Sequence, residues 1–120
     1  MRLPIAYALG FPSRANIAFG AIDWAQLNRL DFETPDRATF RCLDLAYQAG
    51  RIGGTAPAWL SAANEIAVEA FLDGRISWSR IAAVIEQTMQ HHDGVSPKTV
   101  DDILNADDSA RRFAALELTK

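Results

Sequence analysis

PAWLSAANEIAVEAFLDG, residues 57–74, decides how this chain is read. Its small and apolar residues return at helical spacing, and Asp73 and Gly74 close it as a helix end. Thr55 stands where a helix N-cap belongs, and Pro57 falls in the first turn, where a missing N–H costs nothing. At about 100° per residue, Asn64 falls on a stripe with Leu60, Ala67, Val68 and Phe71. The pattern therefore predicts a buried Asn64 amide, held by partners such as the turn at Gly53 and Gly54. Glu65 shares an i, i+4 row with Ser61 and Glu69 and is expected at the bundle surface or a domain contact.

Working outward, the spacing predicts a helix over 37–49 with Phe40, Leu43, Ala46 and Tyr47 on its inner face, stopped by Gly50. Ser77 is expected to cap a further helix with Trp78, Ile81, Ile85 and Met89 inward, ending at HHDG, residues 91–94. SPKTVDDIL then starts another, with Thr99 and Asp102 spaced as a capping box. Asp107 or Asp108 is expected to begin a last helix anchored by Phe113 and Leu116. The fold class is mainly α: a small four- or five-helix bundle over 36–120, preceded by an extended arm over 1–35 with one or two short strands. In LPIAYALGF, Ile5, Tyr7, Leu9 and Phe11 alternate with small residues, which predicts a strand. A loop follows over 12–20, Asp23 caps a turn through Trp24 to Leu27, and LDFE at 30–33 is a second extended piece.

Composition narrows function by exclusion. With 120 residues, 49% hydrophobic and 22% charged, the chain can close one modest core. A net charge of −3 offers no positive field for a phosphate backbone, which argues against a nucleic-acid partner. No apolar run reaches bilayer length and the N-terminus lacks a signal-peptide core, so no membrane partner is expected and the location is cytoplasmic or plastid stroma. Cys42, the single cysteine, has no internal disulfide partner and reads as a small core filler.

The residues that could carry chemistry do not assemble into a site. Glu65 and Glu69 are two carboxylates without converging ligands. His91 and His92 are adjacent, diverge on a helix and sit near a helix end, which suits capping or surface roles. Gly53 and Gly54 match neither GxGxxG nor GxxxxGK[ST]. Trp24, Trp59 and Trp78 have no interleaved basic residues and read as core or interface aromatics. No catalytic, cofactor-binding or metal residue is assigned.

Taken in order, MRLPIAYALGFPSR, LDFETPD, RCLDLAYQAG, GG, LSAANEIAVEAFLDGRISW and VDDIL resemble the carboxy-terminal part of 1-deoxy-D-xylulose 5-phosphate reductoisomerase, over nearly the whole chain. Ser61 departs from an Asn usual before AANE, and Arg41 from a common Pro before CL. The resemblance implies a homodimeric parent enzyme that rearranges and reduces its substrate to 2-C-methyl-D-erythritol 4-phosphate in isoprenoid precursor synthesis, using NADPH and Mg²⁺ or Mn²⁺. It places the dinucleotide fold and the metal carboxylates in upstream domains, which become this chain's partners, and pairs Leu3 to Leu9 with the catalytic sheet. Met1 matches a methionine near the cofactor, separated here from the rest of that pocket. The fragment is accordingly expected to bind no cofactor, to be inactive alone and to support the catalytic domain. The competing reading is a free-standing helical interaction module, with Met1 a true start rather than an internal residue.

Overall fold

The computed structural model describes residues 1–14 and 22–119. Five helices follow one another: α1 (Arg2–Gly10), α2 (Arg41–Ile52), α3 (Ala56–Leu72), α4 (Trp78–Met89) and α5 (Val100–Glu117). The chain divides into two compact units, Met1–Thr34 and Pro35–Lys120.

In the first unit the expected strand is a helix, and no strand occurs among the described residues. Alternation of large and small residues does not separate the two states here, because Ala6 and Ala8 are strong helix formers and Pro4 sits in the first turn. Pairing of Leu3 to Leu9 in a sheet is thereby replaced by α1, whose Leu3, Ile5, Tyr7 and Leu9 side chains are all exposed. Residues 30–33 form no regular element, whereas the Asp23 turn is present: its Oδ1 accepts from Ala25 N at 3.0 Å and its carbonyl from Leu27 N at 2.9 Å. Most of the loop expected over 12–20 lies outside the described residues.

The second unit is a four-helix bundle organised around α3, which packs against α2, α4 and α5. Its buried face is Ala56, Trp59, Ala62, Ala63, Ala67 and Ala70. This is rotated from the expected stripe, and Asn64 is exposed. The smallest side chains face the neighbours because alanine lets three helices approach one axis, while Leu60 and Ile66 fill the flanks. Ala63 and Ala67 meet Leu45 of α2, Val84 and Ile85 of α4 and Ala114 of α5. Each large aliphatic buried there contributes about 1.5–3 kcal/mol.

Helix α2 starts four residues later than expected. Asp36 closes a turn first, its Oδ1 accepting from Ala38 N and Thr39 N at 3.1 Å each and its Oδ2 from the Thr39 hydroxyl at 2.7 Å. The buried residues of α2 are Leu45 and Ala49, and the helix runs through Gly50. Tyr47 is on the outer side with the guanidinium groups of Arg37 and Arg51 each 5.7 Å from its ring centre. Cys42 is exposed rather than a core filler, since its turn rims a surface groove.

Helix α4 begins after Ser77, but that hydroxyl makes no cap bond and lies 3.1 Å from the Ser79 hydroxyl. Its inner side is Val84, Ile85 and Thr88, with Ile81 and Met89 packed at the margin and Trp78 exposed. Helix α5 carries the expected box: Thr99 Oγ1 accepts from Asp102 N at 3.2 Å, and Asp102 Oδ2 accepts from Thr99 N at 2.9 Å and Lys98 N at 2.8 Å. It continues unbroken past Asp107 and Asp108, burying Ala110, Ala114 and Glu117, while Leu116 is exposed. One cap therefore serves a helix that the sequence pattern divides in two.

Two outcomes follow from this packing. Ala67→Leu, which forces a large side chain between α3 and its neighbours, should lower unfolding free energy by about 1–3 kcal/mol or more. Asn64→Ala should stay within about 0.5 kcal/mol of the parent in the same urea titrations. Amide bonds from Lys98 and Thr99 hold the Asp102 carboxyl below the ordinary aspartate range. Because that folded-state value is depressed, its stabilisation is present above about pH 3.9 and lost as pH falls through the folded value. Thermal melts of Asp102→Ala should therefore fall below the parent at neutral pH, with the gap closing under strong acid.

Candidate functional site

The densest set of polar contacts between separate segments lies where Gly53 to Thr55 meet the loop after α4. Gly54 has φ +55°, and a Cβ there would come 2.7 Å from the Val95 carbonyl oxygen, so the approach requires glycine. That carbonyl accepts from Thr55 N at 3.2 Å and from the Thr55 hydroxyl at 3.1 Å. Thr55 is 2% exposed and occupies the N-cap position of α3, yet its side chain makes no cap bond because it is committed to the loop. The role expected of Asn64, fixing the Gly53–Gly54 turn, is thus carried by Thr55.

The Thr55 Oγ1 also lies 2.9 Å from His92 Nε2, a spacing shared with hydroxyl–imidazole nucleophile pairs. Proton direction argues otherwise. A carbonyl only accepts, so the Thr55 proton points to Val95 O and the hydroxyl accepts from His92 Nε2–H. The other ring nitrogen, Nδ1, accepts from Gly94 N at 3.3 Å, where a triad would place a carboxylate. The ring is therefore a donor to a buried hydroxyl, and the arrangement is a structural relay.

Aromatic packing supports it. His92 stands edge-on to Trp59 at 5.6 Å, Trp59 stacks on Phe113 at 5.7 Å, and Phe113 stacks on His91 at 4.5 Å. His91 faces outward and its Nδ1–H donates to Gln87 O at 3.0 Å, the capping role expected of it. Of the three tryptophans only Trp59 is core, at 4% exposed; Trp24 and Trp78 lie at the surface.

The second unit also carries surface concavities. A hollow of about 220 Å³ is lined by Thr55, Trp59, Asp93, Val95, Asp102, Asn105, Ala106 and Ser109. Its polar groups are engaged locally: Asp93 Oδ1 accepts from Val95 N at 3.2 Å and the Ser109 hydroxyl donates to Asn105 O at 2.8 Å. A groove of about 180 Å³ at the start of α2 has Phe40 edge-on to Trp78 at 6.3 Å, with Cys42 and Ile81 in its lining.

Of the two carboxylates considered as ligands, Glu65 is spent on an arginine. Arg111 donates from Nε to Asp107 at 2.6 Å and from Nη2 to Glu65 at 2.6 Å, tying α5 to α3. Both contacts raise the Arg111 guanidinium pKa above its ordinary value. Arg41 bonds Glu86 of α4 at 2.5 Å, which likewise raises its pKa. Such half-exposed pairs contribute little each, but they fix helix orientation. Glu65 is at the bundle surface, as its row on α3 suggests. Pattern reading did not reach the Arg111–Glu65 pair and took Thr55 only as a helix cap, because Glu65, His92 and Val95 lie more than 35 positions from them.

Residues 1–113 match the model of the DXP reductoisomerase C-terminal domain. The chain belongs to that family. The 1-deoxy-D-xylulose 5-phosphate reductoisomerase of Chloroherpeton thalassium is 49% identical over 113 residues, covering 94% of this chain and 29% of the relative. That of Burkholderia vietnamiensis is 50% identical over 115 residues, again with 29% of the relative covered. Among solved structures, the Zymomonas mobilis enzyme in complex with NADPH superposes with a TM-score of 0.89 at 38% identity, over 99% of this chain and 32% of that one. A DOX-P reductoisomerase in complex with NADPH, fosmidomycin and magnesium gives 0.84 at 35% identity, over 98% and 31%. The chain thus spans less than a third of the relatives it matches.

Among the described residues no three His, Cys, Asp or Glu side chains gather in a group that could hold a metal ion. Nor do the described residues form the strand–glycine turn–helix of a dinucleotide cradle. The Gly54–Val95 approach gives a direct test: Gly54→Ala should cost about 1–3 kcal/mol through strain and backbone clash, read as a lowered urea midpoint.

Proposed function

We propose that this chain is the terminal helical domain of a 1-deoxy-D-xylulose 5-phosphate reductoisomerase, in which residues 1–35 link the bundle of residues 36–120 to a catalytic domain. The carrying observation is the mismatch of coverage: near-complete for this chain, under a third for relatives whose solved forms hold NADPH and magnesium. The whole enzyme rearranges and reduces 1-deoxy-D-xylulose 5-phosphate to 2-C-methyl-D-erythritol 4-phosphate. NADPH supplies hydride there and Mg²⁺ or Mn²⁺ supplies a Lewis acid, both held by upstream domains. This chain's residues hold neither group; they brace the polypeptide that does.

Helix α1 supports a linking role. Leu3, Ile5, Tyr7 and Leu9, with Phe11 just beyond, expose apolar surface on more than one side of a nine-residue helix, which is the pattern of a segment covered by other polypeptide. The partners are accordingly the upstream catalytic and NADPH-binding domains of the same enzyme, which assembles as a homodimer. The net charge of −3 supports no nucleic-acid partner. No described helix is long and apolar enough to cross a membrane, consistent with a cytoplasmic or stromal enzyme without a membrane partner.

The experiment is an NADPH-oxidation assay with substrate and Mg²⁺ or Mn²⁺ in three arms: this chain, the upstream two domains of a relative, and both together. The first arm should show no turnover, and the third should exceed the second as the bundle docks. Turnover by this chain alone refutes the support role. A third arm no faster than the second, with no association in sedimentation, favours the free-standing interaction module.

A further inference from the structure

We propose that His92 makes the junction between α3 and the loop after α4 a proton-sensitive latch. The proton positions are set by chemistry on both sides of the ring. Val95 O takes the Thr55 hydroxyl proton, so Nε2 must donate to Thr55. Gly94 N–H can only donate, so Nδ1 must be bare to receive it at 3.3 Å. The closed loop therefore specifies one neutral tautomer.

Adding a proton places N–H against N–H at Nδ1 and removes the Gly94 bond, while the Nε2 donor is unchanged. The contact at Nδ1 therefore opens when the ring takes up a second proton. Opening is local: Gly94, at φ +74° in the loop after α4, loses its bond to the ring, while Val95 stays held by Asp93 Oδ1 and by Thr55 on its far side. That loop also walls the hollow beside Trp59.

The charged groups around the ring are few and separable. Asp93 adjoins it and holds Val95 N; His91 turns away onto Phe113; Asp102 of α5 lines the same hollow and holds the amides of Lys98 and Thr99. From α3 come the uncharged Thr55 and Trp59. The amides of Lys98 and Thr99 hold the Asp102 carboxyl below the ordinary aspartate range. Trp59 supplies an optical reporter, because a charged imidazole 5.6 Å from an indole ring quenches its emission.

The test is ¹⁵N–¹H spectroscopy of the full chain from pH 7.5 to 5, with Trp59 emission in parallel. His92 should show the Nε2–H tautomer at the high end. As its ring charges, the Gly94 and Val95 amide resonances should move in step, Trp59 emission should fall, and Gly94 protection from exchange should drop about three- to tenfold, the worth of one hydrogen bond. His92→Asn places an uncharged acceptor where it can hold the N–H two residues on, so the Gly94 and Val95 amides should stop titrating in that variant. His91→Gln should leave the transition in place. The proposal is overturned by an Nδ1–H tautomer in the parent, by a ring that stays neutral down to pH 5, by loop amides indifferent to its charge, or by a transition that persists in His92→Asn.

Discussion

The rest of the second unit depends on one constraint, the close approach that the alanine face of α3 permits. Ala62, Ala63, Ala67 and Ala70 bring no bulk, so α2, α4 and α5 settle around a single axis and bury Leu45, Val84 and Ile85 against backbone and methyl groups. Dense packing of this kind leaves little room for error in either direction, since a larger residue pries helices apart and a lost aliphatic leaves a void. Shape here comes from small side chains at the centre and larger ones at the edges.

Close packing fixes where the connections must run, and the junction at Gly54 follows from it. The chain leaves α2 and enters α3 within three residues, Gly53 to Thr55, while the loop leaving α4 passes against the same point. A glycine at positive φ admits the Val95 carbonyl, and the buried Thr55 hydroxyl and His92 ring satisfy the polar groups thereby taken out of water. The same logic explains why Thr55 is an N-cap by position only: its oxygen serves tertiary structure instead of the helix end.

What sequence reading reached, and what it missed, divides along the range of the interaction. The Thr99–Asp102 box and the Asp73–Gly74 terminus are local, so residue type and spacing alone identify them. The face of α3 is a question about neighbours. Choosing the large apolar residues as its centre carried Asn64 inward, whereas the bundle needs alanine there and leaves the amide outside. In α1, alternation that suits a strand is equally served by a helix once alanines fill the intervening positions. The Thr55–Val95 and Glu65–Arg111 contacts join residues 40 and 46 positions apart, beyond any spacing rule. The family was readable because its ordered motifs are spread along the chain.

The central claim, that α3 is the structural axis of the bundle, is tested most directly by native-state hydrogen exchange over the full chain. Amides of α3 between Ala62 and Ala70 should be among the slowest, opening only with global unfolding, while those of α1 exchange through local fraying. Slowest exchange confined to α2 or α1, with α3 opening well below the global unfolding free energy, would contradict the account.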